Sequence, residues 1–159
     1  MSGLIVRGVL LGVGATLLFD LWQWLVARML GQPAPNLVPM GRWFWHLRSG
    51  RVFHADIGKA APYVHERALG WIGHYVVGAI YGVVFALIAG PGWFAAPRVL
   101  PAVIFGVATV ALGWFLLQPG LGLGWAASRT PNPARVRVLN LAGHTVFGLG
   151  LWLTALPMV

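Results

Sequence analysis

The sequence contains no cysteine. This absence excludes disulfide bonds, thiolate metal sites, iron–sulfur clusters and thiol redox catalysis, and it leaves the redox compartment open. Acidic residues are also scarce, because only Asp20, Asp56 and Glu66 oppose eleven lysines and arginines. In a chain that is 58% hydrophobic, the net charge of +8 favours anionic membrane lipids over nucleic acid as the negatively charged partner.

Charged residues of either sign make up only 9% of the chain, whereas soluble domains have about a quarter. A membrane span needs about 20 apolar residues. Four segments of the 159-residue chain meet this need, at about 4–27, 69–90, 99–117 and 138–157. The first has no small-residue cleavage site and is predicted to be retained as a span. We therefore predict an all-α, polytopic membrane protein with a single domain over residues 1–159.

The connections between these spans predict an up-down bundle of four transmembrane helices. A long aromatic and basic loop, 31–68, joins the first two spans, and GPGWFAAPR forms a tight turn before the third. Short connections make neighbouring helices antiparallel. Most basic residues lie in 31–68 and 118–137, so these loops are predicted to be cytoplasmic. Both termini would then face the periplasmic side of a bacterial inner membrane.

Three ionisable residues interrupt the apolar segments: Asp20, His74 and His144. Ionisable groups inside a membrane are costly and usually mark a functional site. Each lies seven or eight residues from an arginine near the cytoplasmic boundary, which is about 10–12 Å along a helix. The predicted topology therefore places all three at one depth. Gln118, at the end of the third span, would lie nearer the rim of the same side.

Two imidazoles and a carboxylate suit zinc, iron or manganese, with open positions for water or substrate. His74 and His144 alone could instead be the axial ligands of haem b. Two further interpretations stay open for Asp20, His74 and His144: a hydrogen-bond cluster that fixes helix packing, and a proton path. In the ligand-binding interpretation Gln118 would hydrogen-bond at the entrance.

The first loop contains GRWFWHLRSGRVFHADI, which interleaves aromatic residues with Arg42, Arg48 and Arg51. This pattern is typical of an interfacial segment whose arginines contact lipid headgroups. In the functional alternative, His46 and His54 fold over the mouth of the bundle. They would add ligands or acid–base groups, as would Glu66.

A second loop, GLGLGWAASRTPNP, follows the third span. Its spacing does not match a dinucleotide-binding fingerprint, and no strand precedes it. It is predicted to be a membrane-surface loop. Such a glycine-rich loop could also present backbone N–H groups to an anion, with Arg129 nearby.

Four blocks carry a family resemblance: FDLWQWLVARMLG, GRWFWHLRSGRVFH, ERALGWIGHYVVG and QPGLGLGWAASRTPNPARVRVLNLAGHTVFGLGLW. Together they resemble the bacterial membrane-protein family called domain of unknown function 2938. The resemblance covers nearly the whole chain and implies a small polytopic membrane protein. It implies no activity. The blocks include the candidate residues Asp20, Arg42, His46, His54, Glu66, His74, Gln118 and His144.

The leading functional hypothesis is a buried Asp/His/His site that binds a metal ion, haem or a small polar ligand. The first alternative is an accessory subunit of a larger membrane complex, or a homo-oligomer. The second is a proton-coupled transporter of small solutes, although no inverted repeat supports it. A membrane enzyme is also possible, although the sequence has no H-E-x-x-H motif and no nucleophile elbow.

Overall fold

A computed structural model describes residues 2–158, which are mostly helical and contain no strand. The main helices are α1 (Ser2–Met29), α2 (Val38–Leu47), α3 (Glu66–Ala95), α4 (Val99–Leu121) and α5 (Pro133–Ala155). Short 3₁₀ turns occupy Ile57–Lys59, Trp125–Ala127 and Leu156–Met158. Apart from α2, each main helix is long and apolar enough to cross a membrane, with α5 extended to Met158. The prediction of an all-α protein with four spans is confirmed.

The helices extend beyond the predicted spans because hydrogen bonding continues where apolar composition ends. α3 is interrupted at Gly90, whose φ of 70° and ψ of 174° are not helical. Pro91 follows, and a proline inside a helix removes one backbone donor. The long apolar stretch of α3 therefore ends at the predicted boundary, and a separate turn of helix continues to Ala95.

The backbone contacts divide into two compact units. The bundle unit comprises Met1–Pro35, Tyr75–Thr109 and Leu141–Val159, and the polar unit comprises Asn36–His74 and Val110–Asn140. Each unit combines segments that are distant in the sequence.

Glycines bring the helices of the bundle unit into backbone contact. A Cβ built on Gly12 of α1 would overlap the carbonyl oxygen of Gly78 in α3, and one on Gly8 would lie 2.6 Å from Val83 Cα. Because residue numbers rise along α1 as they fall along α3, the two helices are antiparallel. Such close approach between helices is typical of small residues in membrane proteins.

The remaining contacts close a ring of four helix segments within the bundle unit. A Cβ on Gly106 of α4 would lie 2.6 Å from Gly148 Cα in α5, and one on Gly150 would lie 2.7 Å from Ala15 Cα in α1. The rings of Phe85 in α3 and Phe105 in α4 are 5.3 Å apart. The contacts follow the order α1, α3, α4, α5 and back to α1, as expected for an up-down bundle.

The core of the bundle unit is apolar. Leu11, Phe85, Phe94 and Leu151 are among its most buried side chains. At the turn between α3 and α4, the indole of Trp93 donates to Arg98 O at 3.1 Å. The indole of Trp152 donates to Pro97 O at 3.2 Å. The carbonyl oxygens of Pro97 and Arg98 therefore have tryptophan donors.

The polar unit organises the predicted long loop around α2. A Cβ on Gly41 would overlap Glu66 O, and one on Gly70 would overlap Leu37 O, so α2 packs closely against the start of α3. The indole of Trp43 donates to Val52 O at 2.7 Å. This loop is thus structured by its own contacts.

Candidate functional site

Asp20 lies in α1 within the bundle unit. The hydroxyl of Tyr75 donates a hydrogen bond to Asp20 Oδ2 at 2.9 Å. A tyrosine hydroxyl is a good partner for a carboxylate in a low-dielectric region, where an unpaired charge would be costly. This contact gives Asp20 a partner inside the bundle unit.

His144 lies in α5, where Thr109 fixes its tautomer. The Thr109 hydroxyl donates its hydrogen to Gly106 O at 2.6 Å. It therefore accepts from His144 Nδ1, 2.8 Å away. Nδ1 carries the proton in this arrangement, and Nε2 of a neutral ring has the lone pair. His144 is thus prepared to act as an acceptor or ligand through Nε2.

His74 lies in the polar unit, where its ring makes an edge contact with Trp71 at 6.3 Å between centroids. Among the side chains of residues 2–158, no group of three or more histidines or carboxylates is arranged to hold a metal ion. The grouping of Asp20, His74 and His144 as a metal or haem site stays a prediction.

Gln118 is buried near the end of α4, within the polar unit, and a chain of hydrogen bonds fixes its orientation. The indole N–H of Trp114 donates to Asn140 Oδ1 at 3.0 Å. Gln118 Nε2 donates to the same oxygen at 2.9 Å. An indole N–H can only donate, so it identifies the Asn140 atom as oxygen. Asn140 in turn identifies the Gln118 atom beside it as nitrogen.

The other amide atom of Gln118, Oε1, is a buried acceptor with no hydrogen-bond partner among the described residues. Gln118 is only 9% exposed. A buried polar atom without a partner costs about 1–3 kcal/mol. Such an atom requires an explanation, and a ligand that donates a hydrogen bond would provide one.

The backbone around Gln118 is unusual on both sides. Residues Gly113–Leu117 form a π-helical turn, and Gln118 N–H donates to Gly113 O. Short π-helical turns are frequent at functional sites. A few residues further on, Ala126 and Ala127 have φ angles of 46° and 60°. This left-handed conformation costs about 1–2 kcal/mol per alanine.

Arg42 was predicted to contact an anion, and in the structure the anion is Glu66. Arg42 Nε donates to Glu66 Oε2 at 2.7 Å, and Arg42 Nη2 donates to Oε1 at 2.9 Å. Arg42 Nη1 also donates to the carbonyl oxygens of Ile57, Gly58 and Ala60. The hydrogen bonds with Glu66 raise the pKa of Arg42, although desolvation opposes this shift. The guanidinium of Arg42 therefore connects α2 to Glu66 and to the loop segment 57–60.

Of the other candidate loop residues, some contact a neighbouring ring and the others are exposed, with no such contact among the described residues. His46 and His54 contact each other through their ring nitrogens at 3.0 Å. Arg48 lies over the ring of Trp45, 3.5 Å from its centroid. Arg51 and Arg129 are exposed, and their predicted contacts with headgroups or anions stay predictions.

Sequence reasoning missed four partners of the candidate residues: Tyr75, Thr109, Trp114 and Asn140. Asn140 carried a usable signal, since an amide in an apolar span is itself costly. Tyr75 and Thr109 are common residue types in such spans. Only the packing of the helices identifies them as partners of Asp20 and His144.

The fold and these buried polar side chains define a multi-pass, α-helical membrane protein. Residues 9–158 match the family model described as Protein of unknown function (DUF2938), and the chain belongs to that family. No curated protein and no solved structure gives a significant match. The family resemblance read from the sequence is confirmed.

Proposed function

We propose that this membrane protein binds a small polar molecule that carries a hydroxyl or N–H group, and that Gln118 is the acceptor. The observation that carries the proposal is the buried Gln118 Oε1, which has no partner among residues 2–158. The contact of Asn140 with the indole of Trp114 fixes the direction of the amide. A flip of the side chain would place two oxygens against each other.

Two features of the polar unit support a ligand site at this position. The π-helical turn Gly113–Leu117 and the left-handed pair Ala126 and Ala127 flank Gln118 on either side in the sequence. Strained or irregular backbone concentrates at ligand sites, where the surrounding structure maintains it. Between these two features, the Gln118 carbonyl accepts from Leu123 N–H at 2.9 Å.

A small polar ligand agrees better with these contacts than a metal ion does. Protein sites for hard cations such as calcium or magnesium usually combine amide oxygens with carboxylates. The three acidic residues, Asp20, Asp56 and Glu66, have hydrogen-bond partners of their own. The metal or haem interpretation through His144 Nε2 is retained as the alternative ligand class.

We also propose that the protein lies in a bacterial inner membrane, with the loops 31–68 and 118–137 on the cytoplasmic side.

The test compares two glutamine variants, Gln118→Leu and the control Gln32→Leu, which changes an exposed residue. Each protein is purified in a mild detergent and denatured, and the released small molecules are quantified by mass spectrometry. The expected result is about one molecule with a donor group per chain in the wild type and control. Loss of one hydrogen bond, worth about 1.4 kcal/mol, should weaken binding about tenfold in Gln118→Leu, which should therefore release clearly less of this molecule after the same washing.

A second measurement uses protein from which the molecule has been removed. Gln118→Leu removes the unpaired acceptor Oε1, and Asn140 Oδ1 keeps the indole donor of Trp114 after the hydrogen bond from Gln118 Nε2 is lost. We therefore expect Gln118→Leu to unfold at the same temperature as the stripped wild type or at a higher one.

Equal amounts of every released small molecule in the wild type, Gln118→Leu and Gln32→Leu would overturn the proposal. So would a density map in which only an ordered water contacts Gln118 Oε1.

A further inference from the structure

His46 and His54 form a chain of three contacts within the polar unit. His54 is 5% exposed, and its Nδ1 is 2.9 Å from Gly120 O. Its other nitrogen, Nε2, is 3.0 Å from His46 Nδ1. His46 Nε2 is 2.9 Å from Ala61 O. All four ring nitrogens are therefore engaged, the two outer ones with backbone carbonyls and the two inner ones with each other.

The number of protons that this chain needs follows from the donor and acceptor rules. A carbonyl oxygen only accepts, so the two outer nitrogens, facing Gly120 and Ala61, both carry hydrogen. A neutral imidazole has one N–H, so two neutral rings would leave two lone pairs facing each other at 3.0 Å. One additional proton converts this repulsion into an N–H···N hydrogen bond.

We propose that His46 and His54 form a proton-binding site, in which three protons on four ring nitrogens hold the loop segments of the polar unit together. The shared proton lies between His54 Nε2 and His46 Nδ1. This site is distinct from Gln118 and goes beyond the proposed ligand binding, since it rests on a different set of contacts.

A metal ion between the two inner nitrogens would require a wider separation. With zinc–nitrogen bonds of about 2.0–2.1 Å in tetrahedral geometry, the two nitrogens would lie about 3.4 Å apart. The observed 3.0 Å is a hydrogen-bond distance. A structural zinc site also needs four ligands, and the described residues include no group of three histidines or carboxylates suited to a metal.

The neighbouring charged groups are engaged elsewhere or lie on the surface. On α2, Arg42 pairs with Glu66, and Arg48, just beyond the helix, stacks on Trp45. In the adjoining loop, Asp56 accepts from Gly58 N–H, and Tyr63 stacks on Trp45. The other exposed ionisable residues of these segments are Arg51, Lys59, His65 and Arg67. The four residues of α4 that include Gly120, from Gln118 to Leu121, have no charge. The carbonyl oxygens of Gly120 and Ala61 therefore stabilise the added charge.

Protonation should tighten the polar unit. The arrangement with all three contacts needs the shared proton, so loss of that proton should weaken it. His46 lies at the exposed end of the chain, and His54 at the buried end. Loss of the proton should release the contact of His46 with Ala61 first.

The test is a ¹⁵N NMR titration of the wild-type protein labelled at histidine, in detergent, from about pH 5 to about pH 9. Coupled groups lose protons in separate steps that belong to the pair. We expect a pH range with three protons on the two rings, and joint changes in both rings when the third proton leaves. His46→Gln identifies the signals and should abolish the coupling, whereas the exposed control His65→Gln should leave it unchanged.

Three results would overturn the proposal. In the first, both rings stay neutral throughout the titration. In the second, the two rings titrate independently, without a range that has three protons. In the third, elemental analysis finds one zinc ion per chain in the wild type and none in His46→Gln, which would replace the proton by a metal.

Discussion

In the bundle unit, helices approach each other mainly where side chains are missing, whereas in the polar unit, many side chains that reach backbone carbonyls add to such glycine contacts. Gly12 and Gly106 allow the first kind of contact. Arg42, Trp43 and His54 make the second kind, since each donates to a carbonyl oxygen of a distant residue. The bundle unit should therefore be sensitive to added volume, and the polar unit to lost donors.

This difference follows from where the backbone groups of each unit find their hydrogen-bond partners. A helix pairs its own backbone groups, so helix packing in a membrane depends on close contact and few polar side chains. The connecting segments of the polar unit have carbonyls outside regular helix, such as those of Val52, Ala60 and Ala61. Side-chain donors supply the partners that these carbonyls lack.

The largest expected effect comes from Gly12→Ala, which adds a single methyl group against the backbone of Gly78. Overpacking of this kind costs about 3 kcal/mol when only backbone could move aside. Thermal unfolding in detergent should show a clearly lower midpoint. The control is Gly3→Ala on the same helix, because a Cβ there meets nothing within 4 Å. Equal midpoints for the two variants would contradict the importance of glycine packing.

A smaller loss is expected from Arg42→Lys in the polar unit. Lysine keeps the charge but cannot form the planar fork that contacts Glu66 and three carbonyls. Loss of hydrogen bonds to charged groups costs about 2 kcal/mol. Limited proteolysis should show faster cleavage of the segment 51–61 than in Arg51→Lys, which changes an exposed arginine. If both variants are cleaved at the wild-type rate, Arg42 does not organise this segment.

The smallest effect has the opposite sign. Ala126→Gly removes the steric cost of a φ angle of 46°, and glycine adopts this conformation freely. The greater freedom of glycine in the unfolded chain offsets part of the gain, so about 0.5–1 kcal/mol should remain. Chemical denaturation would measure it. Ala68→Gly, at an exposed helical position, should instead destabilise by about 1 kcal/mol. Destabilisation in both variants would show that position 126 is not strained.

Prediction from the sequence worked best where one physical requirement dominated. Length and apolar composition identified all four spans. The interior of the long loop was not predicted, because α2 and the contacts of Arg42 depend on residues far apart in the sequence. An apolar count gives no information on such contacts.

The candidate residues show the same limit. An ionisable residue in an apolar span is visible in the sequence, and Asp20 and His144 were found this way. Their partners, Tyr75 and Thr109, are ordinary residues whose role depends on helix rotation. Gln118 was expected at an entrance, but the direction of its amide depends on Trp114 and Asn140. The left-handed backbone at Ala126 had no sequence signal, because alanine normally avoids it.

The turn between α3 and α4 has a consequence for the position of the protein in its membrane. Loops usually stay in water because their carbonyls need donors. At Pro97 and Arg98 the indoles of Trp152 and Trp93 supply those donors. The turn between α3 and α4 can therefore lie deeper in the membrane, closer to the acyl chains, without leaving these two carbonyls unpaired. The protein should accept bilayers of different hydrophobic thickness mainly by adjusting at this end.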